Sequence, residues 1–315
     1  MPDATARHGR VLVGFDGSAR ALPALYRAAD EAVRRGAALE ILCGWPWGRH
    51  QPPEPAMARG VPSAHDVSRV TLERAVVRVR ARDRGLSVVP TLTTEPAARA
   101  LVRCGRTAAL TVVGTRGHGG FGELLVGSVA LRVAAHSTGP LLVVRGPAAD
   151  EWRCVLVGLE SEADLGALRF GFEEAARRGA TLRVLHAWRY PAAPGPRAPL
   201  GQDGVRLLTQ AAEAVPAYAV AALRPEYPGV AVTTEAVCLG AGHALTEASR
   251  TADVVIVAAH RGTGRLGLRL GPVTHALLYH AHCPVALIPD APDTSDTPDI
   301  PDGPDIPDGP DRPAE

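Results

Sequence analysis

Between Gly114 and Gly127 the chain places six glycines in fourteen positions, and Ser128 follows at once. Glycine permits positive φ and close backbone approach, and a helix opening after such a loop presents unpaired N–H groups and the positive end of its dipole. Together these form a cradle for phosphate. Ser128 can cap that helix and offer its hydroxyl to a terminal phosphate, and Arg116 adds a cation within the loop. Upstream, Asp16 lies in the turn Asp16-Gly17-Ser18. Its two readings are a ligand contact and a turn residue that caps the following helix.

The segment Gly117-x-Gly119-x-x-Gly122 also fits the dinucleotide fingerprint, as does Gly262-x-Gly264-x-x-Gly267. That fingerprint belongs after the first strand of a βαβ unit, with an acid about 20 residues on. Here the loop follows the fourth strand and residues 140–145 contain no acid, so the match does not imply NAD.

The elements that must position these residues are legible from hydrophobic runs. Apolar stretches without polar alternation at 10–14, 39–45, 86–92, 109–114 and 140–145 predict strands buried on both faces. Longer helical segments separate them; the first, about 19–35, has Ser18 as N-cap, Pro23 near its start and Gly36 as a stop. Alternation of strand and helix implies an α/β, Rossmann-like doubly wound parallel sheet. In the five-stranded order 3-2-1-4-5 the sheet reverses between strands 1 and 4, where ligands bind outside the carboxyl ends. Asp16 and the glycine loop both fall at that reversal.

The whole pattern occurs twice. Residues 11–16 (VLVGFD) return at 155–160 (VLVGLE), an offset of 144, and Arg34-Arg35-Gly36-Ala37 returns 143 later at 177–180. We therefore expect two tandem five-stranded domains, at 8–147 and 151–290, followed by a tail at 291–315. In the tail Pro and Asp recur nearly every third residue, a composition that predicts disorder.

Gly114-x2-Gly117-x9-Gly127-Ser128 resembles the ATP-binding signature of the universal stress protein family. The likeness extends over residues 11–18, 141–144 and the spacing of the strands between, so it spans each half almost whole. It implies that Asp16 contacts the adenosine part and that backbone near Gly44 meets the adenine. Gly114, Arg116, Gly117, Gly127, Ser128 and Val129 are implied to line the ribose and phosphates, and Gly14 and Val113 complete the cofactor-binding set. The implied cofactor is ATP with Mg²⁺. The resemblance also implies that the halves pair through their last strands, 141–145 and 285–288, within one chain, with further homo-oligomerisation open.

The second half departs from the signature: Gly114 corresponds to Ala258, Gly117 to Arg261, Ser128 to Pro272 and Asp16 to Glu160. Pro272 removes a hydroxyl and a backbone donor, and Arg261 puts a side chain where close approach is needed. This half is expected to be a degenerate copy, leaving one ATP per chain in the first.

Composition narrows the alternatives. All 34 basic residues are Arg, and the absence of Lys and Asn excludes a Walker-type P-loop, a Schiff-base lysine and N-glycosylation. Aromatic content of 4% leaves little for stacking bases, so no nucleic-acid partner is expected. Five cysteines form no CxxC pair. His275, His280, His282 and Cys283 straddle a helix-to-strand break, a poor arrangement for a metal, and no metal site is expected. Arg74, Arg78 and Arg82 read as a solvated helix face. No apolar run approaches the roughly 20 residues of a membrane span, and a cytoplasmic protein is expected.

The leading expectation is an ATP-binding stress-response or signalling protein with at most slow ATP hydrolysis and no assigned catalytic residue. Two alternatives stand beside it: a nucleotide-dependent enzyme of a related adenine-nucleotide-binding fold, such as a nucleotidyl transferase, and a nucleotide-independent scaffold.

Overall fold

The computed structural model describes residues 9–44, 64–115, 126–145, 152–190, 201–260 and 270–289. The Pro-rich segments 46–62 and 191–199 and the acidic tail lie outside them.

The first half runs β1 (Val11–Gly14), α1 (Leu22–Arg35), β2 (Leu39–Gly44), α2 (Ala64–Arg82), β3 (Val88–Thr93), α3 (Ala97–Gly105), β4 (Leu110–Gly114), α4 (Ser128–His136) and β5 (Leu141–Val144). The second runs β6 (Cys154–Gly158), α5 (Leu165–Arg178), β7 (Thr181–Trp188), α6 (Gln202–Leu223), β8 (Val232–Cys238), α7 (Ala241–Ala248), β9 (Val254–Ala259), α8 (Pro272–His280) and β10 (Val285–Pro289). Strands β1, β2, β4 and β5 are buried almost throughout, as their unbroken apolar runs require.

Local signals explain the helix ends. Ser18 Oγ accepts the Ala21 N–H at 3.1 Å, but what it caps is a single 3₁₀ turn, Ala19–Ala21; α1 proper starts at Leu22 with Pro23 in its first turn. Gly36 ends α1 at φ 59°, its N–H returning to the Ala32 and Val33 carbonyls. Gly179 ends α5 in the same way, at φ 56°.

Each half has the strand order 3-2-1-4-5, and the two join edge to edge. The result is one ten-stranded sheet, β3-β2-β1-β4-β5-β10-β9-β6-β7-β8. The seam is the antiparallel pair β5–β10, with Val143 opposite Val285 and Leu141 opposite Leu287, and the other strand pairings are parallel. The expected pairing through the last strands is thus present within the chain. Alternation along the strands feeds two cores: Val11 and Val13 pack with α1, α2, α5 and α6, whereas Leu12 packs with α3, α4, α7 and α8.

On the α1/α5 side the seam is reinforced by charge. Glu31 and Glu174, both buried, exchange arginines: Arg178 Nη2 lies 2.5 Å from Glu31 Oε1, and Arg35 pairs with Glu174. Near the opposite side Arg145 donates to the Leu278 carbonyl at 2.7 Å. Among the described residues no helix is long and apolar enough to cross a membrane.

Candidate functional site

At the reversal of the first half, β1 and β4 are neighbours, with Val13 opposite Val112, so Asp16 and Gly114 leave the sheet at the same end. Phe15 donates its N–H to the Leu42 carbonyl at 2.9 Å, which holds the start of the Asp16 turn against β2. Asp16 is exposed, and its Oδ1 accepts the Ser18 N–H at 2.9 Å. Asp16 is therefore a turn residue, whereas the cap of the following helical turn is Ser18. Gly17 sits at φ 84°, and a Cβ there would come within 2.5 Å of Thr71 Cγ2, so the turn needs glycine on both counts.

The far end of the glycine loop is fixed by one hydrogen bond. Thr115, which is buried, takes the Gly127 N–H on its carbonyl at 2.6 Å. Whatever path residues 116–125 follow, the chain leaves the sheet and returns to the same point. Helix α4 then starts at Ser128 with Gly127 as an N-cap that has no side chain to satisfy the first-turn donors. The Leu131 N–H is bonded to the Gly127 carbonyl. Ser128, Val129 and Ala130 precede it, and their N–H groups have no acceptor within the helix. These donors stand beside the carboxyl end of β4, the arrangement that favours an anion.

Gly14 and Gly44 close the strand ends against α3: a Cβ on Gly14 would meet Leu101 at 2.8 Å, and one on Gly44 would meet Ala97 at 3.0 Å. Val113 is buried in β4, and Val129 is exposed in the first turn of α4. Cys43 lies next to Gly44, buried; burial and then the negative charge of Asp16 push its thiol above the usual value. Gly14, Asp16, Val113, Gly114, Gly127, Ser128 and Val129 thus belong to β1, β4 and the segments that follow them at the reversal, and Gly44 ends the neighbouring β2. Arg116 and Gly117 lie outside the described residues. Thr115 is the residue that sequence reasoning passed over, its function being carried by a carbonyl that every residue has.

The second half arranges the same place differently. Asp164, 2% exposed, accepts the Glu160 and Ser161 N–H groups on Oδ2 at 2.5 and 3.3 Å, in a reciprocal capping box with Ser161. Its Oδ1 lies 2.6 Å from Nε2 of His260, which follows β9 where Arg116 follows β4. A fixed carboxylate and an imidazole therefore bridge the two lips of this crevice. Helix α8 starts with Pro272 at its first position, which removes one of the donors that α4 offers.

The other sequence candidates resolve into packing. His275 stacks on Tyr279 with ring centroids 4.5 Å apart, Cys283 is buried, and the His282 N–H donates to Ser249 Oγ. No cluster of three or more metal-ligating side chains occurs among the described residues. Arg82 turns back over the Tyr26 ring and to Asp30.

Comparison with known proteins agrees with this architecture. The universal stress protein family model matches residues 8–145 and again 151–289. A universal stress protein of Mycolicibacterium smegmatis is 30% identical over 292 residues, covering 88% of this chain and 96% of that one. One from Mycobacterium bovis is 29% identical over 304 residues, covering 89% and 96%. Among solved structures, a universal stress protein from Archaeoglobus fulgidus superposes with a TM-score of 0.63 over 90% of this chain and 97% of its own, at 14% identity, a likeness of fold. With the family matched once in each half and relatives aligned over nearly the full length, the chain belongs to the universal stress protein family in its tandem, two-domain form.

Proposed function

We propose that the first half binds one ATP per chain, with Mg²⁺, and that the protein acts as a nucleotide-loaded component of stress response or signalling. The observation that carries this reading is the Thr115–Gly127 hydrogen bond. It sets the open N-terminus of α4 beside the ends of β1 and β4, where a doubly wound sheet takes its ligands. In this reading Asp16 and the backbone near Gly44 hold the adenosine, and the N–H groups of α4 with the Ser128 hydroxyl hold phosphates. Arg116 and Gly117 complete the signature in sequence. The second half serves as a structural copy, its crevice bridged by Asp164 and His260 and its helix started by Pro272.

Fast phosphoryl transfer needs a positioned base or water-orienting group as well as charge stabilisation. The chain has no lysine, and Asp16, the carboxylate that this reading places beside the ligand, is already engaged by the Ser18 N–H. Retention of bound ATP, with slow hydrolysis at most, is the behaviour this favours.

Calorimetric titration of the full chain with ATP and Mg²⁺, with released phosphate followed in parallel, tests the reading. Saturation at one ATP per chain with negligible turnover is the expected result. Rapid turnover would replace it with an enzyme, and absence of binding with a scaffold.

A further inference from the structure

Because β5 and β10 run antiparallel, β10 begins level with the end of β5, Val285 lying opposite Val143. Helix α8 ends at His280, and four residues separate it from β10. Its last turn therefore stands at the carboxyl end of the first half's strands, the end from which α4 sets out. Two helix ends of opposite polarity share this place. One offers the N–H groups of Ser128, Val129 and Ala130; the other offers the carbonyls of the last turn of α8, of which the Ala281 N–H takes that of Leu277. A negative helix end beside a phosphate site opposes the anion.

Arg145 is placed at this meeting. It follows Val144, whose carbonyl accepts the Thr115 N–H at 3.0 Å, so it stands next to the residue that anchors the glycine loop. Val144 faces the α1 side of the sheet and Val143 the α4 side; Arg145, next in the alternation, turns to the α4 side, where its Nη1 donates to the Leu278 carbonyl at 2.7 Å. The guanidinium is thus held on the negative end of α8. By the 144-residue repeat the counterpart of Arg145 is Pro289, and that of Leu278 is Ala134. Where the repeat would set a guanidinium, the second half has a cavity, lined by Ala134 and Ala135 of α4 with His260 after β9 and Gly271 and Thr274 at the start of α8. The half that departs from the phosphate signature at Ala258, Arg261 and Pro272 also lacks this cation.

We infer that Arg145 is the residue by which the first site recognises the distal phosphates of its nucleotide, so that the ligand class is a nucleoside triphosphate and not a monophosphate. The inference rests on the nucleotide reading of the first half and adds a direction to it. The strands run in the order β2, β1, β4, β5 across this part of the sheet, with their carboxyl ends on one side. In that reading the base lies near Gly44 on β2, the sugar near Asp16 after β1 and the phosphates at α4 after β4. The next station along the same line is the end of β5, which Arg145 occupies. A guanidinium there makes charge-assisted hydrogen bonds to phosphate oxygens and keeps the carbonyl end of α8 from facing them.

The test is calorimetric titration of the full chain with ATP and with AMP, each with Mg²⁺, for the wild type, Arg145→Gln and Arg145→Lys, with circular dichroism as the check on folding. The wild type is expected to bind ATP at least about tenfold more tightly than AMP. Arg145→Gln keeps an amide donor for Leu278 but no charge; it should lose about tenfold in ATP affinity and hold AMP within about twofold. Arg145→Lys keeps the charge and should keep the preference. Equal affinity of the wild type for ATP and AMP overturns the inference. So does a folded Arg145→Gln chain that binds ATP as the wild type does, or one whose ATP and AMP affinities fall together, which would make Arg145 a cap of α8 and nothing more. Should Arg145→Gln fail to fold, Arg145→Lys decides: a kept preference supports the inference and a lost one overturns it. A wild type that binds neither nucleotide removes the nucleotide reading itself and this inference with it, whereas the other negative results leave that reading standing.

Discussion

Arg178 of the second half reaches Glu31 of the first at 2.5 Å, and the repeat returns the contact, Arg35 of the first half pairing with Glu174 of the second. Glu31 has no exposed surface, and Arg27 and Arg34 also lie 3.1 Å from it. The two carboxylates and their arginines form one ionic cluster where α1 passes α5. Such a cluster contributes little relative to well-packed apolar residues, yet removal of one member leaves buried charge uncompensated.

Glu31→Gln is therefore expected to destabilise the fold by about 3–5 kcal/mol, since Arg178 and Arg35 lose the charge they surround. Urea unfolding at neutral pH checks it. A loss below about 1 kcal/mol would show that the arginines find other partners or water.

The same carboxylate sets an acid limit. Burial opposes its ionisation, but Arg178, then Arg35, Arg27 and Arg34, more than offset that and hold its pKa at about 2, against an ordinary 4.5. The folded-state value lies below the unfolded one, so the stabilisation is complete above about pH 4.5 and is lost as pH falls from there through about 2. Its size is on the order of 3 kcal/mol. Stability measured between pH 6 and pH 2 should fall more steeply in the wild type than in Glu31→Gln; parallel curves would remove Glu31 from the account.

Gly127→Arg should abolish ATP binding while leaving the melting transition in place. The backbone hydrogen bond to Thr115 survives, but a long side chain then stands at the mouth of α4. Binding equal to that of the parent by calorimetry would place the ligand elsewhere.

In the second half, Pro272→Ser returns a hydroxyl and a donor to α8 but leaves Asp164 and His260 bridging the crevice. Stoichiometry in that variant should stay at one nucleotide per chain. Two would mean that proline alone was the obstacle.

Gly17→Ala forces a Cβ onto Thr71 at a left-handed φ of 84°. A loss of about 1–3 kcal/mol is expected. ATP affinity should fall with it, because the same turn carries Asp16. Unchanged denaturation would show that the turn relaxes freely.

Much of this was legible in the sequence, for a physical reason: strands buried on both faces must be apolar throughout, and αL stops such as Gly36 have few substitutes. The parallel sheet followed from alternation and its order from the common doubly wound arrangement, and the nearness of the Asp16 turn to Gly114 and Gly127 from the reversal that the order creates. Contacts between residues distant in sequence were not legible. Glu31 and Arg35 form the i,i+4 pair that their spacing allows, and nothing local says that each also reaches the other half. Asp164 and His260 are 96 residues apart, one in a capping box and one at a strand end, and only the folded sheet brings them together. In the first half the separation of Ser18's 3₁₀ turn from α1 also escaped, because both conformations use the same cap.

The antiparallel seam has a consequence in mass action. With nine residues between the end of β5 and the start of β6, the two edges face each other at a local concentration fixed by the tether, so their union does not dissolve on dilution as that of two separate chains would. Identical chains must also carry every substitution twice. Tethered halves carry each once, so Pro272 can replace a serine in one crevice while Ser128 stays untouched in the other.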